Sequence, residues 1–258
     1  MTVRESNWPE GTPCWVDLAV PDIDRASSFY ADVLNWTIPP GSPEAGGYAV
    51  ATLDGHNVAG LSPQQGPSDA PPAWVTYLAS DDVDATAARI TGAGGRLVME
   101  PMDVMDLGRM AVAIDTGGAS FGLWQGRLHS GAEIVNAPGA QTWNESFSRD
   151  YESAKAFYQA VFGYEYEDVS DGDFKYAAFK VNGQYAGGIG QLAEGSKDQP
   201  SWVTYFGATD TDATLARVIG QGGSTLREPQ DSPYGRVATV TDDQGAVFSL
   251  ISVSSPAQ

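Results

Sequence analysis

Short stretches in which apolar and polar residues alternate recur along the chain, and this pattern predicts β-strands. The first stretch is 14–20, where Trp15, Asp17 and Ala19 lie on one face because strand side chains alternate. Apolar residues then recur at helical spacing over 26–34, behind the candidate N-caps Asp22 and Asp24. The chain is therefore expected to begin with a strand followed by a helix, after an arm of residues 1–12 that has no periodicity.

Further strands are predicted downstream. Residues 48–53 and 57–61 form an expected β-hairpin around Asp54-Gly55, a strong turn signal. A linker rich in Pro, Ser and Gly covers 62–72. The order then restarts with a strand at 74–79, a helix from Asp81-Asp82 to Thr91, and strands at 96–99, 109–115 and 119–125.

The second half of the chain repeats the first. At a spacing of 128 positions Trp15 matches Trp143, and Asp17 matches the acidic Glu145. The run 74–77 likewise matches 202–205, and the spacing then shortens by one residue after Gly94-Gly95. Such a long period indicates a duplicated domain instead of a solenoid. The predicted domains are 12–126 and 140–252, each with two units, at 13–62, 73–125, 141–191 and 201–251, and the fold class is α+β with mostly antiparallel pairing.

Composition and charge restrict the partners. Of 258 residues 42% are hydrophobic, and 33 acidic residues against 14 Lys plus Arg give a net charge of −19. A negative field of this size disfavours nucleic acid, membrane surfaces and strongly anionic substrates, unless a local arginine offsets it. The plainer interpretation is a surface that keeps the protein soluble, as a monomer or homodimer.

The single cysteine, Cys14, cannot form an intramolecular disulfide and is typical of a reducing compartment. Residues 1–13 have no apolar core of the kind found in secretion signals. A cytoplasmic protein is therefore expected.

Two recurring motifs give a family resemblance. Strand-to-helix junctions occur at 20–26 (Val-Pro-Asp-Ile-Asp-Arg-Ala) and 81–85 (Asp-Asp-Val-Asp-Ala), and matching turns precede final strands at 115–119 and 242–246. Over 12–251 the chain resembles the vicinal oxygen chelate superfamily of glyoxalases, bleomycin-resistance proteins and extradiol dioxygenases, and most of all its two-domain hydroxylase-like members. The resemblance implies that pairs of βαβββ units form cup-shaped sheets, so that four units make two cups.

Metal-binding members of that superfamily hold a divalent ion with His and Glu side chains, and the resemblance places those positions on other residues here. They fall on Trp15 and Trp143, near Val75 and Val203, and on Gly122 and Ser249. The two histidines, His56 and His129, are expected in a hairpin turn and in the linker. No metal and no other cofactor is therefore expected, the alternative being an unusual site that recruits Asp17 and Glu145.

The expected site is an aromatic-lined cup with a carboxylate. The ligand-binding candidates are Trp15, Trp143, Tyr48, Tyr176, Tyr77, Tyr205, Trp124, Arg109 and Arg236. Aromatic rings beside small residues leave room for a flat ligand to stack. Asp17 and Glu145 are the acid–base candidates, because burial among aromatic rings raises a carboxyl pKa. The alternatives are that these tryptophans and tyrosines, together with Trp74 and Trp202, only pack, and that the arginines and carboxylates only pair.

Three functions remain open from the sequence. The first is a metal-free module that binds a hydrophobic or aromatic small molecule in secondary metabolism or resistance. The second is a metal-independent enzyme (hydroxylase-like, cyclase or isomerase) with Asp17 or Glu145 as base, and the third is a metal-dependent glyoxalase or dioxygenase. The glycine pattern at 188–190 lacks the following helix of a dinucleotide site, and Cys14 lacks a partner histidine.

Overall fold

A computed structural model describes residues 2–66 and 71–253. In the first half the elements are β1 (Thr2–Val3), β2 (Pro13–Val20), α1 (Ile23–Leu34), a 3-10 turn (Pro43–Ala45), β3 (Ala49–Leu53), β4 (His56–Pro63), β5 (Trp74–Ala79), α2 (Val83–Gly92), β6 (Arg96–Val104), β7 (Gly108–Ile114) and β8 (Ser120–Gly126). In the second half they are β9 (Ile134–Val135), β10 (Gln141–Ser148), α3 (Tyr151–Phe162), β11 (Glu165–Asp168), β12 (Tyr176–Val181), β13 (Gln184–Gln191), β14 (Ser201–Ala208), α4 (Thr211–Gly220), β15 (Ser224–Ser232), β16 (Gly235–Thr241) and β17 (Val247–Ser252).

The strands form two large sheets, one from each half of the chain. The first has seven strands in the order β3-β4-β2-β5-β8-β7-β6, and the second has eight in the order β11-β12-β13-β10-β14-β17-β16-β15. Each is a mixed sheet with antiparallel central pairs, β2 with β5 and β10 with β14. The predicted α+β class is confirmed, and the second sheet pairs two βαβββ units as expected. In the first sheet the first unit has one strand fewer, because Thr37 forms only an isolated bridge to Thr52 where β11 lies in the second half.

Each helix begins where an aspartate caps it. The Oδ1 atom of Asp22 accepts a hydrogen bond of 3.0 Å from the backbone N of Arg25, and Asp82, Asp150 and Asp210 cap α2, α3 and α4 in the same way. Such a side chain satisfies a backbone N–H that has no partner within the helix. At the other end of α1, Asn35 takes a left-handed conformation with φ of 60°. Of the two candidate N-caps predicted for α1, Asp22 and Asp24, the structure selects Asp22.

The hairpin turns also follow from local sequence. Asp54-Gly55 has φ of 51° and 82°, and Asn182-Gly183 has φ of 50° and 74°. Positive φ at both central residues is what a tight two-residue hairpin needs, and Asn-Gly and Asp-Gly adopt it at low cost.

The helices pack on one face of each sheet, and side chains from both halves of the chain meet there. The Tyr30 hydroxyl of α1 donates a 3.0 Å hydrogen bond to Asp242, and Trp74 donates one of 3.2 Å to Tyr30. The second half repeats the arrangement with Tyr158, Asp115 and Trp202, at 2.9 and 2.8 Å. The two cores are therefore composite, and the expectation that Trp74 and Trp202 are packing residues is correct, since both are buried.

The structure corrects two sequence predictions. The arm of residues 1–12 shows no periodicity in sequence, yet Thr2–Val3 pairs antiparallel with Ile134–Val135. Strand β6 continues to Val104 instead of ending at Met99, because it stays paired with β7 across two irregularities in register. The predicted linker of residues 62–72 starts inside β4, and its residues 67–70 lie outside the described residues. No helix in the described part of the chain is long and apolar enough to cross a membrane.

Candidate functional site

The face of each sheet that is turned away from the helices carries most of the predicted site residues. We call these faces the N-terminal cup and the C-terminal cup. In the N-terminal cup Trp15 lies opposite Tyr77, Asp17 lies opposite Gly60, and Tyr77 lies opposite Gly122. Residues directly opposite one another in neighbouring strands share a face. This face is therefore continuous across four strands.

The C-terminal cup repeats the arrangement. Trp143 lies opposite Tyr205, Glu145 lies opposite Gly188, and Tyr205 lies opposite Ser249. The predicted tryptophan, carboxylate and tyrosine of β10 and β14 are thus brought together on one surface.

In the C-terminal cup Glu145 is held between two tyrosines. The Tyr176 hydroxyl donates a 2.6 Å hydrogen bond to Oε2 of Glu145, and the Tyr205 hydroxyl donates to Oε1. Trp143 Nε1 donates a 2.8 Å hydrogen bond to the Tyr176 hydroxyl. Burial raises the pKa of Glu145, and these donors oppose part of the rise. The result is a buried carboxyl group whose position is fixed by a chain of aromatic donors.

The N-terminal cup has a similar cluster. Trp15 Nε1 donates a 2.8 Å hydrogen bond to the Tyr48 hydroxyl, in the same geometry as Trp143 and Tyr176. Burial raises the pKa of Asp17 to about 7, and a hydrogen bond from Tyr77 opposes part of that rise. The side chain of Asp17 is nevertheless partly exposed at the surface. A carboxyl group with a pKa near neutrality can exchange a proton at physiological pH.

Two glycines make room for the tyrosine rings. A Cβ atom built on Gly60 would lie 1.8 Å from the Tyr48 hydroxyl oxygen, and one on Gly188 would lie 1.8 Å from that of Tyr176. This close approach explains the glycine pattern at 188–190, which resembled a nucleotide fingerprint in sequence. In the structure it lies within strand β13.

We predict that Gly188→Ala displaces the Tyr176 ring and breaks its hydrogen bonds to Glu145 and Trp143. The added methyl group cannot occupy the same space as the hydroxyl oxygen. The expected result is loss of the ordered Tyr176 ring in a crystal structure and a changed Trp143 fluorescence. Gly183→Ala is the control, because a Cβ at Gly183 meets nothing within 4 Å although its φ of 74° strains alanine. An unchanged Tyr176 position in Gly188→Ala would contradict the prediction.

The N-terminal cup is covered near Trp15 and Trp124 by His129, which belongs to the segment that follows β8. The His129 ring packs edge-on against Trp15 with centroids 4.4 Å apart, and Trp124 Nε1 donates a 2.8 Å hydrogen bond to the His129 carbonyl. Trp15 is 2% exposed, and burial lowers the pKa of His129 to about 4. Beside this cover a pocket of about 130 Å³, lined in part by Trp8, remains. That pocket is smaller than the usual small-molecule site of about 300–1,000 Å³. Because Trp15 itself is buried, this end of the cup is core.

In the C-terminal cup Trp143 and Tyr205 are more exposed than Trp15 and Tyr77, although its carboxylate Glu145 is buried whereas Asp17 is partly exposed. Trp143, Tyr176 and Tyr205 are all partly exposed. Across the sheet from Tyr205, Ser249 lies opposite Thr239 and Thr239 lies opposite Arg227, with 3.2 Å between the two hydroxyl oxygens. The matching row of the N-terminal cup is Gly122, Val112 and Met99. The two cups therefore differ in access and in chemistry.

Arg109 and Arg236 do not reach either cup, which corrects the prediction that they contact a ligand. Arg109 forms two hydrogen bonds of 2.7 and 2.9 Å to Asp84 on α2, and Arg236 pairs with Asp212 on α4. Their strand neighbours on the cup face are Met110 and Val237, so strand alternation turns the arginines toward the helices.

Trp124 does lie on the cup face, under His129.

The sequence arguments missed Arg227 and assigned no role to His129. Arg227 lies on β15, where alternation is weak and irregular register hides the face of each residue. His129 gave no signal because it belongs to the segment between the domains.

The donor atoms in the cups do not fit a divalent metal ion. A borderline cation prefers several imidazole and carboxylate ligands. The C-terminal cup offers the single carboxylate of Glu145, and the N-terminal cup offers that of Asp17, with its one imidazole, His129, packed edge-on against Trp15. Over residues 2–66 and 71–253 no three His, Cys, Asp or Glu side chains come close enough to share an ion.

Comparison with known proteins identifies the class. The sequence model of the Glyoxalase/Bleomycin resistance protein/Dioxygenase superfamily matches residues 14–123 and 142–250, and the chain belongs to that superfamily. It is 37% identical over 256 residues to "Putative glyoxylase CFP32" of Mycobacterium bovis, covering 96% of this chain and 97% of that protein. It is 35% identical over 255 residues to "Anthracycline biosynthesis protein DauV" of Streptomyces sp., covering 93% of each.

A solved structure shows the same fold. The crystal structure of the Mn(II)-bound glyoxalase from Novosphingobium aromaticivorans superposes with a TM-score of 0.68 at 20% identity, covering 95% of this chain and 83% of that chain. Identity at this level supports the shared fold alone.

Proposed function

We propose that the C-terminal cup binds a planar aromatic small molecule without a metal ion, in the service of secondary metabolism. The observation that carries the proposal is the Glu145 cluster, a buried carboxyl group fixed by Tyr176 and Tyr205 beside a partly exposed Trp143. An indole face stacks on flat ligands, and a few fixed polar groups orient them. The similarity to an anthracycline biosynthesis protein supports a polycyclic aromatic ligand.

The proposal assigns the two cups different roles. The covered end of the N-terminal cup stabilises the fold through Trp15, Trp124 and His129. The C-terminal cup has the same tryptophan-to-tyrosine hydrogen bond, and its Trp143 and Tyr205 are more exposed than Trp15 and Tyr77. A ligand hydroxyl can donate to a remaining lone pair of Glu145, since each of its oxygens accepts one tyrosyl hydroxyl.

Titration with 1,8-dihydroxyanthraquinone, followed by quenching of tryptophan fluorescence, tests this proposal. We predict that Glu145→Gln weakens binding about 10-fold, because an amide replaces the charged acceptor and one of its tyrosyl donors loses a good partner. The matched control is Asp17→Asn in the other cup, which should bind like the wild type. Equal losses in both variants, or binding that requires added Mn²⁺, would contradict the assignment.

A second candidate is a metal-independent enzyme that moves a proton in the same cluster. The observation that favours it is the raised pKa of both carboxyl groups, with that of Asp17 near 7. Incubation of an activated carbonyl probe in D₂O distinguishes the candidates, because a general base would exchange the acidic C–H for deuterium. Exchange that Glu145→Gln abolishes supports an enzyme, and binding without exchange supports a carrier or sequestering protein.

A further inference from the structure

We propose that Arg227 makes the C-terminal cup selective for aromatic ligands that bear an acidic group, such as a carboxylate. This inference rests on the proposed function and specifies the chemical class of the ligand. Arg227 lies opposite Thr239, which lies opposite Ser249 and so shares the face of Tyr205 and Glu145.

The charge of Arg227 acts on the same cluster. Its guanidinium favours the ionised form of Glu145 and of Tyr205, in each case lowering a pKa that burial raises. This cation therefore lies within electrostatic range of the buried carboxyl group. A ligand that stacks on Trp143 with a hydroxyl on Glu145 places its far edge along the row of Ser249, Thr239 and Arg227.

Arg227 is also available to a ligand. Its nearest acidic oxygen is Oδ2 of Asp198 at 3.8 Å, and the two side chains are 70% and 63% exposed. Arg109 and Arg236, by contrast, are engaged by helix aspartates at 2.7 Å or less. An exposed ion pair of this length contributes little to stability. Little free energy is therefore lost when a ligand carboxylate replaces Asp198 as the partner of Arg227. A guanidinium binds a carboxylate through two parallel hydrogen bonds.

The overall charge of the protein makes a preference for an acidic ligand informative. With a net charge of −19 the protein repels anions in general. A preference for an acidic ligand over its neutral analogue therefore requires a local cation. The N-terminal cup lacks one at the equivalent position, where Met99 lies opposite Val112.

The test compares anthraquinone-2-carboxylate with anthraquinone-2-carboxamide by fluorescence titration at low salt. We expect the wild type to bind the carboxylate about 10-fold more tightly than the amide, and Arg227→Gln to reduce that ratio to about one. The matched control is Arg236→Gln, which removes the same charge from the helix-facing side of the adjacent strand and should keep the ratio. The ratio should also decrease as salt is added, because the contact is exposed.

Each result has a distinct meaning. Tight binding of both compounds with a ratio near one in the wild type, or an unchanged ratio in Arg227→Gln, overturns the role of Arg227 and leaves the proposed function standing. Equal loss of the ratio in Arg236→Gln assigns the preference to overall charge and also overturns it. Failure of both compounds to bind overturns the proposed function, and this inference with it.

Discussion

Replacing Trp15 with alanine is expected to lower the free energy of unfolding by about 3–5 kcal/mol, the usual cost of removing a buried tryptophan. Trp15 is 2% exposed, contacts His129, and donates a hydrogen bond to Tyr48. In a chain of this length such a loss lowers Tm by about 10 °C. Urea denaturation followed by circular dichroism measures it.

Trp143→Ala is the matched comparison, because the two residues occupy equivalent strand positions and both donate to a tyrosine at 2.8 Å. Trp143 is partly exposed, so its removal leaves a smaller cavity and should destabilise the protein by less than half as much. Its effect should appear in ligand binding, with a loss of about 10-fold for an anthraquinone that stacks on the indole. Similar destabilisation by both variants would contradict the assignment of a structural role to one cup and a binding role to the other.

Asp17→Asn is expected to stabilise the protein at pH 8 relative to the wild type, by roughly 2–4 kcal/mol. The folded state raises the pKa of Asp17 from its ordinary value of 3.8 to about 7, so the folded protein holds this proton more tightly than the unfolded chain does. The stabilising contribution of the protonated form is complete below about pH 4. It is lost as the pH rises to 7, and asparagine does not titrate.

The measurement is the difference in unfolding free energy between Asp17→Asn and the wild type from pH 4 to 9. The difference should grow in favour of the variant up to about pH 7 and then level off. Taking a difference cancels the other carboxyl groups, among them Asp84 and Asp212, whose pKa values arginines lower. A difference that does not vary with pH would show that Asp17 is an ordinary ionised surface residue.

Local sequence was sufficient for the elements and turns because their causes are local. Asp22, Asp82 and Asp210 cap helices by accepting from a backbone N–H three residues on. Asn182-Gly183 makes a tight turn through its own φ values. The internal repeat then predicted that the tryptophan, carboxylate and tyrosines of one half match those of the other, because matching strands present matching faces. That this face lines a cup was implied by the family resemblance.

The sequence by itself determined the duplication, the α+β class, and the shared face of Trp15 with Asp17 and of Trp143 with Glu145. Only the tertiary structure decided which cup is covered, because His129 reaches Trp15 through a contact across 114 positions of the chain. It likewise turned Arg109 and Arg236 to helix aspartates, since an arginine pairs with whichever carboxylate packing brings near. Alternation along a strand can be predicted from the sequence. Which residues pack against each face of the strand depends on how elements that are distant in sequence come together in the fold.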